Sequence, residues 1–148
     1  MVMYTKIMSA YGRAEGINFK FGGTVANTLD AHRMIQYYQH TRGPDTADAI
    51  VNSLYSQYFE DERHPSAPET LIQAAVDAGI DRSEAEKFVR GNEWEQEVKT
   101  AIREQAANGI DAVPCVVIEG KKRDVTLTGA KDVNQYVKSL EQVMMEST

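Results

Sequence analysis

Residues 108–120, Asn-Gly-Ile-Asp-Ala-Val-Pro-Cys-Val-Val-Ile-Glu-Gly, divide the chain into two conformational regimes. Everything before this stretch carries helical periods, and everything just after it carries short β-branched runs. Gly109 suits the residue beyond a helix C-terminus, where a left-handed backbone is common. Pro114 has no amide hydrogen and so belongs at the start or edge of a strand, not inside a ladder. An X-Pro bond held cis is usually a tight and purposeful turn. The same stretch holds the only cysteine of the sequence, Cys115.

The region ahead of that switch reads as a succession of amphipathic helices. A first helix spans about residues 3–15, with Ile7, Met8 and Tyr11 on one face and Gly16 as its stop. Asn27 is placed to cap a second helix carrying Leu29, Met34, Ile35 and Tyr38, which ends near Arg42-Gly43-Pro44. Ala47, Ile50, Val51, Leu54, Tyr55, Tyr58 and Phe59 follow the i, i+3, i+4 rule without a miss, so a buried face is expected there. Ser66, Pro68 and Glu69 read as a cap and first turn leading to a helix that stops at Gly79. Asp81 to Glu84 repeats a capping-box pattern ahead of Ala85, Phe88 and Val89. A helix from about Glu93 to Ala107 carries Trp94, Val98, Ala101 and Ile102.

Two strands follow. Cys115 to Ile118 is apolar and β-branched, Glu119-Gly120-Lys121-Lys122 is a polar turn, and Val125 to Thr128 alternates like a half-buried strand, so a hairpin is expected. Val133, Tyr136, Val137, Leu140 and Met144 mark a last amphipathic helix, and Glu146-Ser147-Thr148 is expected to fray. The domain organisation predicted is a helical region over 1–107 and a β-β-α part over 108–148. A two-stranded ribbon is marginal without further strands or helix cover, so the sheet reads as incomplete.

Composition narrows the function classes. The 148 residues are 42% hydrophobic and 26% charged, which fits one globular domain with a core. A net charge of −6, with no basic run longer than Lys121-Lys122-Arg123, gives no footprint for nucleic acid. No apolar run approaches the roughly 20 residues of a membrane span. One cysteine excludes an intramolecular disulfide and a cysteine-built zinc site. His32, His40 and His64 have no ligand-spaced companions, so no metal is expected. Gly22-Gly23 lacks the lysine and spacing of a phosphate loop. With no basic-then-apolar leader at residues 1–6, the expected location is cytoplasmic.

In order, Asn27-Thr28-Leu29-Asp30-Ala31-His32-Arg33, a long helix, Gly109-Ile110-x-x-Val113-Pro114, a β-hairpin, Thr128-Gly129-Ala130 and a final helix form a pattern. It resembles the DsbA-like thioredoxin-fold proteins, within the cytoplasmic branch near 2-hydroxychromene-2-carboxylate isomerases and kappa-class glutathione transferases. The resemblance implies an α/β, thioredoxin-like fold of DsbA type with a helical insertion bundle, a β-hairpin and a C-terminal helix. It makes Val113-Pro114 the cis-proline loop that contacts substrate, and it turns Asn27, His32 and Arg33 toward the active-site cleft. The family's N-terminal β-α-β half, with its Cys-x-x-Cys pair or single nucleophile, has no counterpart ahead of the first helix. The expectation is therefore an N-terminally truncated member, impaired in redox turnover, with no catalytic residue assigned.

Each of these residues also has a plainer role. Cys115 reads as a packed strand residue or as a reactive thiol beside the loop. Pro114 reads as a strand-start proline or as a guide for an extended ligand, and Asn27 as a helix cap or a cleft residue. Alternatives to the oxidoreductase reading are a non-catalytic binding module for a thiol compound or protein partner, and a glutathione-dependent isomerase or transferase relative. Glutathione is the one cofactor the resemblance suggests. Incomplete sheets and apolar helix faces predict a homo-oligomer, with a dimer favoured.

Overall fold

The computed structural model describes residues 2–147. Its elements run α1 (Val2–Ala14), α2 (Leu29–Arg42), α3 (Pro44–Phe59), α4 (Pro68–Asp77), α5 (Arg82–Arg90), α6 (Glu95–Ala107), β1 (Cys115–Ile118), β2 (Val125–Thr128) and α7 (Val133–Ser147). Two compact units divide the chain, Met1–Thr100 and Ala101–Thr148, with the division falling inside α6.

In the first unit α2, α3, α4 and α5 pack in succession, and α2 also touches α4 and α5. Each supplies one stripe to a shared core: Met34 and Tyr38 from α2, Ile50 from α3, Leu71 and Ala75 from α4, and Ala85 and Phe88 from α5. The alanines let α4 and α5 approach closely, while Tyr37 stacks on Phe88 with ring centroids 4.7 Å apart. Gly43 is the entire α2–α3 connection and has φ 95, a conformation that strains any residue with a Cβ. Pro44 then opens α3 at its first turn, where a missing N–H costs nothing.

Local caps decide where the helices start. Asp81 caps α5 as the capping pattern predicts, its carboxylate accepting from the N–H groups of Ser83 and Glu84. Two other expected caps shift by one residue. Thr28, not Asn27, precedes α2, although Asn27 Oδ1 accepts from the Leu29 N–H at 2.8 Å. Ala67, not Ser66, precedes α4, because the Ser66 hydroxyl donates to the Asn27 carbonyl at 2.6 Å. Trp94 stands outside α6 with φ 67, against the expectation of a helix from Glu93. Its indole is held by ring contacts with Tyr37 and His40.

In the second unit α6 ends in a Schellman motif: the N–H of Ile110 donates to the Gln105 carbonyl and that of Gly109 to the Ala106 carbonyl. Gly109 supplies the required left-handed φ of 77. β1 and β2 then form an antiparallel hairpin with Cys115 opposite Thr128 and Ile118 opposite Val125. α7 packs against β1. Arg123 and Glu146 make a forked ion pair between the hairpin turn and the end of α7, so the expected fraying does not extend to Glu146. Thr148 lies outside the described residues. No helix among the described residues is long and apolar enough to cross a membrane.

Candidate functional site

The residues singled out from the sequence fall into two groups, one in each unit. Asn27, His32 and Arg33 belong to the first, and Val113, Pro114 and Cys115 to the second.

In the first unit, a groove of about 440 Å³ opens between α2 and α3. His32 and Ile35 form one wall, Val51, Leu54 and Tyr55 the other, and Pro65 closes an end. This overturns the expectation that the whole α3 stripe is buried. Ala47 and Ile50 are buried, but Tyr55 is 60% exposed and Phe59 37%. The helical period is continuous along α3: Ala47 and Ile50 are buried and Gln57 is bonded to the Thr70 carbonyl of α4, while Val51, Leu54, Tyr55, Tyr58 and Phe59 line the groove. The loop 64–67 is fastened across to Asn27 by the Ser66 hydroxyl, and the His64 Nδ1 accepts from the Ser66 N–H at 3.2 Å. Asn27 thus holds the groove's end in place rather than lining it. His32 is the one imidazole in the lining, which holds no carboxylate, lysine or arginine, and it is exposed. A cleft of this size with apolar walls and a few polar groups is built for binding. Its lining has no cysteine or serine.

Arg33 does not line that groove. It is 2% exposed and points into the opposite side of α2. Its guanidinium donates to the carbonyls of Phe88 at 3.3 Å, Val89 at 3.4 Å and Glu93 at 3.0 Å, and sits 4.4 Å above the Phe88 ring. The last carbonyls of a helix lack partners and carry its negative dipole end, so a buried cation there satisfies both needs. Asp30 accepts from Arg33 Nε at 3.2 Å and orients the fork. Arg33 is therefore the clamp on the α5–α6 connection.

In the second unit, the Val113-Pro114 peptide is cis. Val113 is 84% exposed, and the Pro114 carbonyl accepts from the Gly129 N–H at 2.8 Å, which continues the hairpin ladder by one pair. Cys115 follows at once and is half-buried. On the pleat it shares a face with Val117, Thr126 and Thr128, and these line a hollow of about 320 Å³ with the loop Asn108–Ala112. The thiol occupies a strand, not a helix N-terminus, so it lacks the dipole that commonly stabilises a thiolate. Among the described residues no group of three His, Cys, Asp or Glu could hold a metal ion.

Comparison with known proteins agrees with this order of helices and hairpin. No curated protein matches the sequence. Among solved structures, one described as "a putative protein disulfide isomerase from Nitrosomonas europaea" superposes with a TM-score of 0.77 at 16% identity, over 99% of this chain and 74% of that one. The DSBA-like thioredoxin domain matches residues 1–141. The chain belongs to the DSBA-like thioredoxin domain family.

Proposed function

We propose that this chain is a thiol-disulfide oxidoreductase family member that binds a thiol or disulfide ligand at Val113-Pro114-Cys115 and does not complete a dithiol cycle by itself. The observation that carries the reading is the pairing of the sole cysteine with the cis-proline bend: Cys115 is half-buried against a hollow one residue after Pro114. As a thiolate, Cys115 Sγ attacks one sulfur of a disulfide R–S–S–R′, forming Cys115–S–S–R and releasing R′–S⁻. Release of R needs a second thiol from another molecule, since the sequence supplies one cysteine. The chemistry stops at a mixed disulfide unless an external thiol resolves it. The reading further assigns the chain to the cytoplasmic branch near 2-hydroxychromene-2-carboxylate isomerases and kappa-class glutathione transferases, where a reducing environment keeps a lone thiol free.

The test is incubation of the native protein with glutathione disulfide, followed by intact-mass measurement. One glutathionyl adduct, absent in Cys115→Ser and reversed by reductant, is expected. A thiol that reacts only after denaturation would overturn the proposal and leave Cys115 as a packing residue.

The α2–α3 groove favours a second reading, a non-catalytic binding module. Its lining lacks the lysine or arginine that glutathione carboxylates would seek, so an uncharged apolar ligand suits it better. Replacing Ile35 with Trp fills the groove. It is expected to abolish binding of a fluorescent apolar dye while leaving glutathionylation of Cys115 intact.

A further inference from the structure

Residues 17–22, Ile-Asn-Phe-Lys-Phe-Gly, cross the end of α3 without belonging to a helix or strand. Their fastening is regular. The N–H groups of alternate residues point one way, as in a strand, and each finds an acceptor on the segment 59–62. Asn18 donates to Glu60 Oε2 at 3.1 Å, Lys20 to the Phe59 carbonyl at 2.8 Å and Gly22 to Glu62 Oε1 at 2.6 Å. Between them Phe19 sets its ring edge-on to Phe59, with centroids 5.5 Å apart. The acceptor side is anchored to α3. The N–H groups of Glu60 and Asp61 donate to the Ser56 carbonyl and that of Arg63 to the Gln57 carbonyl, while Glu62 is held at φ 57, a strained backbone for a residue with a Cβ. The donor side is freer. Gly16 at φ 78 and the pair Gly22-Gly23 bound the segment, Phe21 is 48% exposed, and both carboxylate bonds lie in water. Local opening concentrates where main-chain bonds are exposed and apolar contacts are few.

We propose that residues 17–23 are a hinged strap whose two carboxylate fasteners, Glu60 and Glu62, control entry to the α2–α3 groove. The proposal rests on the second reading above, that this groove binds an uncharged apolar ligand, and adds how the ligand gains access. Two features connect strap and groove. Phe59 carries the Phe19 ring and also lines the groove, and the chain leaving the strap supplies Val25 and Ala26 to the same lining. Undoing the three main-chain bonds therefore uncovers Phe59 and frees Val25, which is 86% exposed. Gly22 is needed for closure, because a Cβ there would stand 2.7 Å from Glu62 Oε1. Asp61 lies between the two fasteners, and its carboxylate takes none of the strap N–H groups.

Stopped-flow binding of Nile red, an uncharged apolar dye, to the full chain tests the strap. A gate that must open for both entry and release sets the two rates without setting the affinity, so a weakened fastener should raise both together. Glu62→Asn tolerates the left-handed backbone but falls short of Gly22, and should speed both rates by about fivefold or more with Kd held within about twofold. Gly22→Ala displaces the same carboxylate from the other side and should do likewise, whereas Asp61→Asn should do neither. Amide exchange at Asn18, Lys20 and Gly22 should quicken together in the first two variants. With Ile35→Trp still abolishing binding, rates unmoved by both Glu62→Asn and Gly22→Ala, or equal quickening by Asp61→Asn, would overturn the strap alone. So would strap amides that exchange as fast in wild type as in those variants. Nile red binding that survives Ile35→Trp would overturn the groove reading and the gate with it.

Discussion

Replacing Arg33 with Met retains most of the aliphatic stem and removes every donor, which isolates the clamp from simple packing. Three carbonyls lose a charged donor: Phe88, Val89 and Glu93. Two of these bonds are long, at 3.3 and 3.4 Å, so they count for less than the ideal charged hydrogen bond. Leaving these carbonyls without the guanidinium costs about 1–3 kcal/mol for the set, rather than for each, because Phe88 keeps the Gly91 N–H and Val89 and Glu93 can recruit water. Loss of the cation over Phe88 adds about 1 kcal/mol in this dry setting. The Asp30 pair adds at most about 0.5 kcal/mol, since the Asp30 side chain is 54% exposed. The expected loss is therefore about 3 kcal/mol, read as a lower urea midpoint at unchanged slope. Arg33→Lys keeps the charge but not the fork and should lose about half as much. Asp30→Asn should cost under about 0.5 kcal/mol. If Arg33→Met loses less than about 1 kcal/mol, or Asp30→Asn matches it, the clamp is not what holds the α5–α6 connection.

Other outcomes follow from the same core and caps. Tyr38 is fully buried and its hydroxyl has no hydrogen-bond partner among the described residues, so Tyr38→Phe should be neutral or stabilising by up to about 1 kcal/mol in urea unfolding. Burial, with the Glu84 charge, pushes the Tyr38 phenol up to about 12, so its contribution is whole below pH 10 and is lost as pH rises from 10 toward 12. Ultraviolet titration should show a late-ionising tyrosine in wild type that is lost in Tyr38→Phe. The Ser83 hydroxyl and the Ser83 and Glu84 N–H groups hold the Asp81 carboxyl below its ordinary 3.8. Its stabilising contribution is present above 3.8 and disappears as pH falls through the lowered value. Asp81→Asn keeps the acceptor but should flatten that acid limb of the urea midpoint. A Cβ on Gly120 would stand 2.4 Å from the Arg123 carbonyl oxygen, so Gly120→Ala should cost about 1–3 kcal/mol and broaden the amide resonances of the hairpin.

What the sequence disclosed, and what it hid, follows the range of the interactions concerned. The Asp81 cap and the Gly109 stop were legible because each partner lies within a few residues. The proline bend and the hairpin were legible because Pro114, the β-branched run and the polar turn all act locally. Arg33 was not, since its acceptors are main-chain carbonyls 55 to 60 residues away, and a carbonyl has no signature in the sequence. The α3 stripe was legible as a helix but not as a groove wall. Periodicity states which face is apolar and is silent on whether another helix covers it. Trp94 read as one more helical residue because nothing local announces a left-handed backbone held by Tyr37 and His40. Thr28 makes no side-chain cap bond and Ala67 has no group to make one, and they stand at those positions while the Ser66 hydroxyl is bonded to the Asn27 carbonyl.

Turnover separates a one-step thiol from a redox enzyme most directly. In an insulin-reduction assay with excess dithiol, the isolated chain is expected to match the uncatalysed rate, and Cys115→Ser to match the wild type. A sustained rate above background that vanishes in Cys115→Ser would mean that Cys115 cycles unaided, and would contradict the account at its centre.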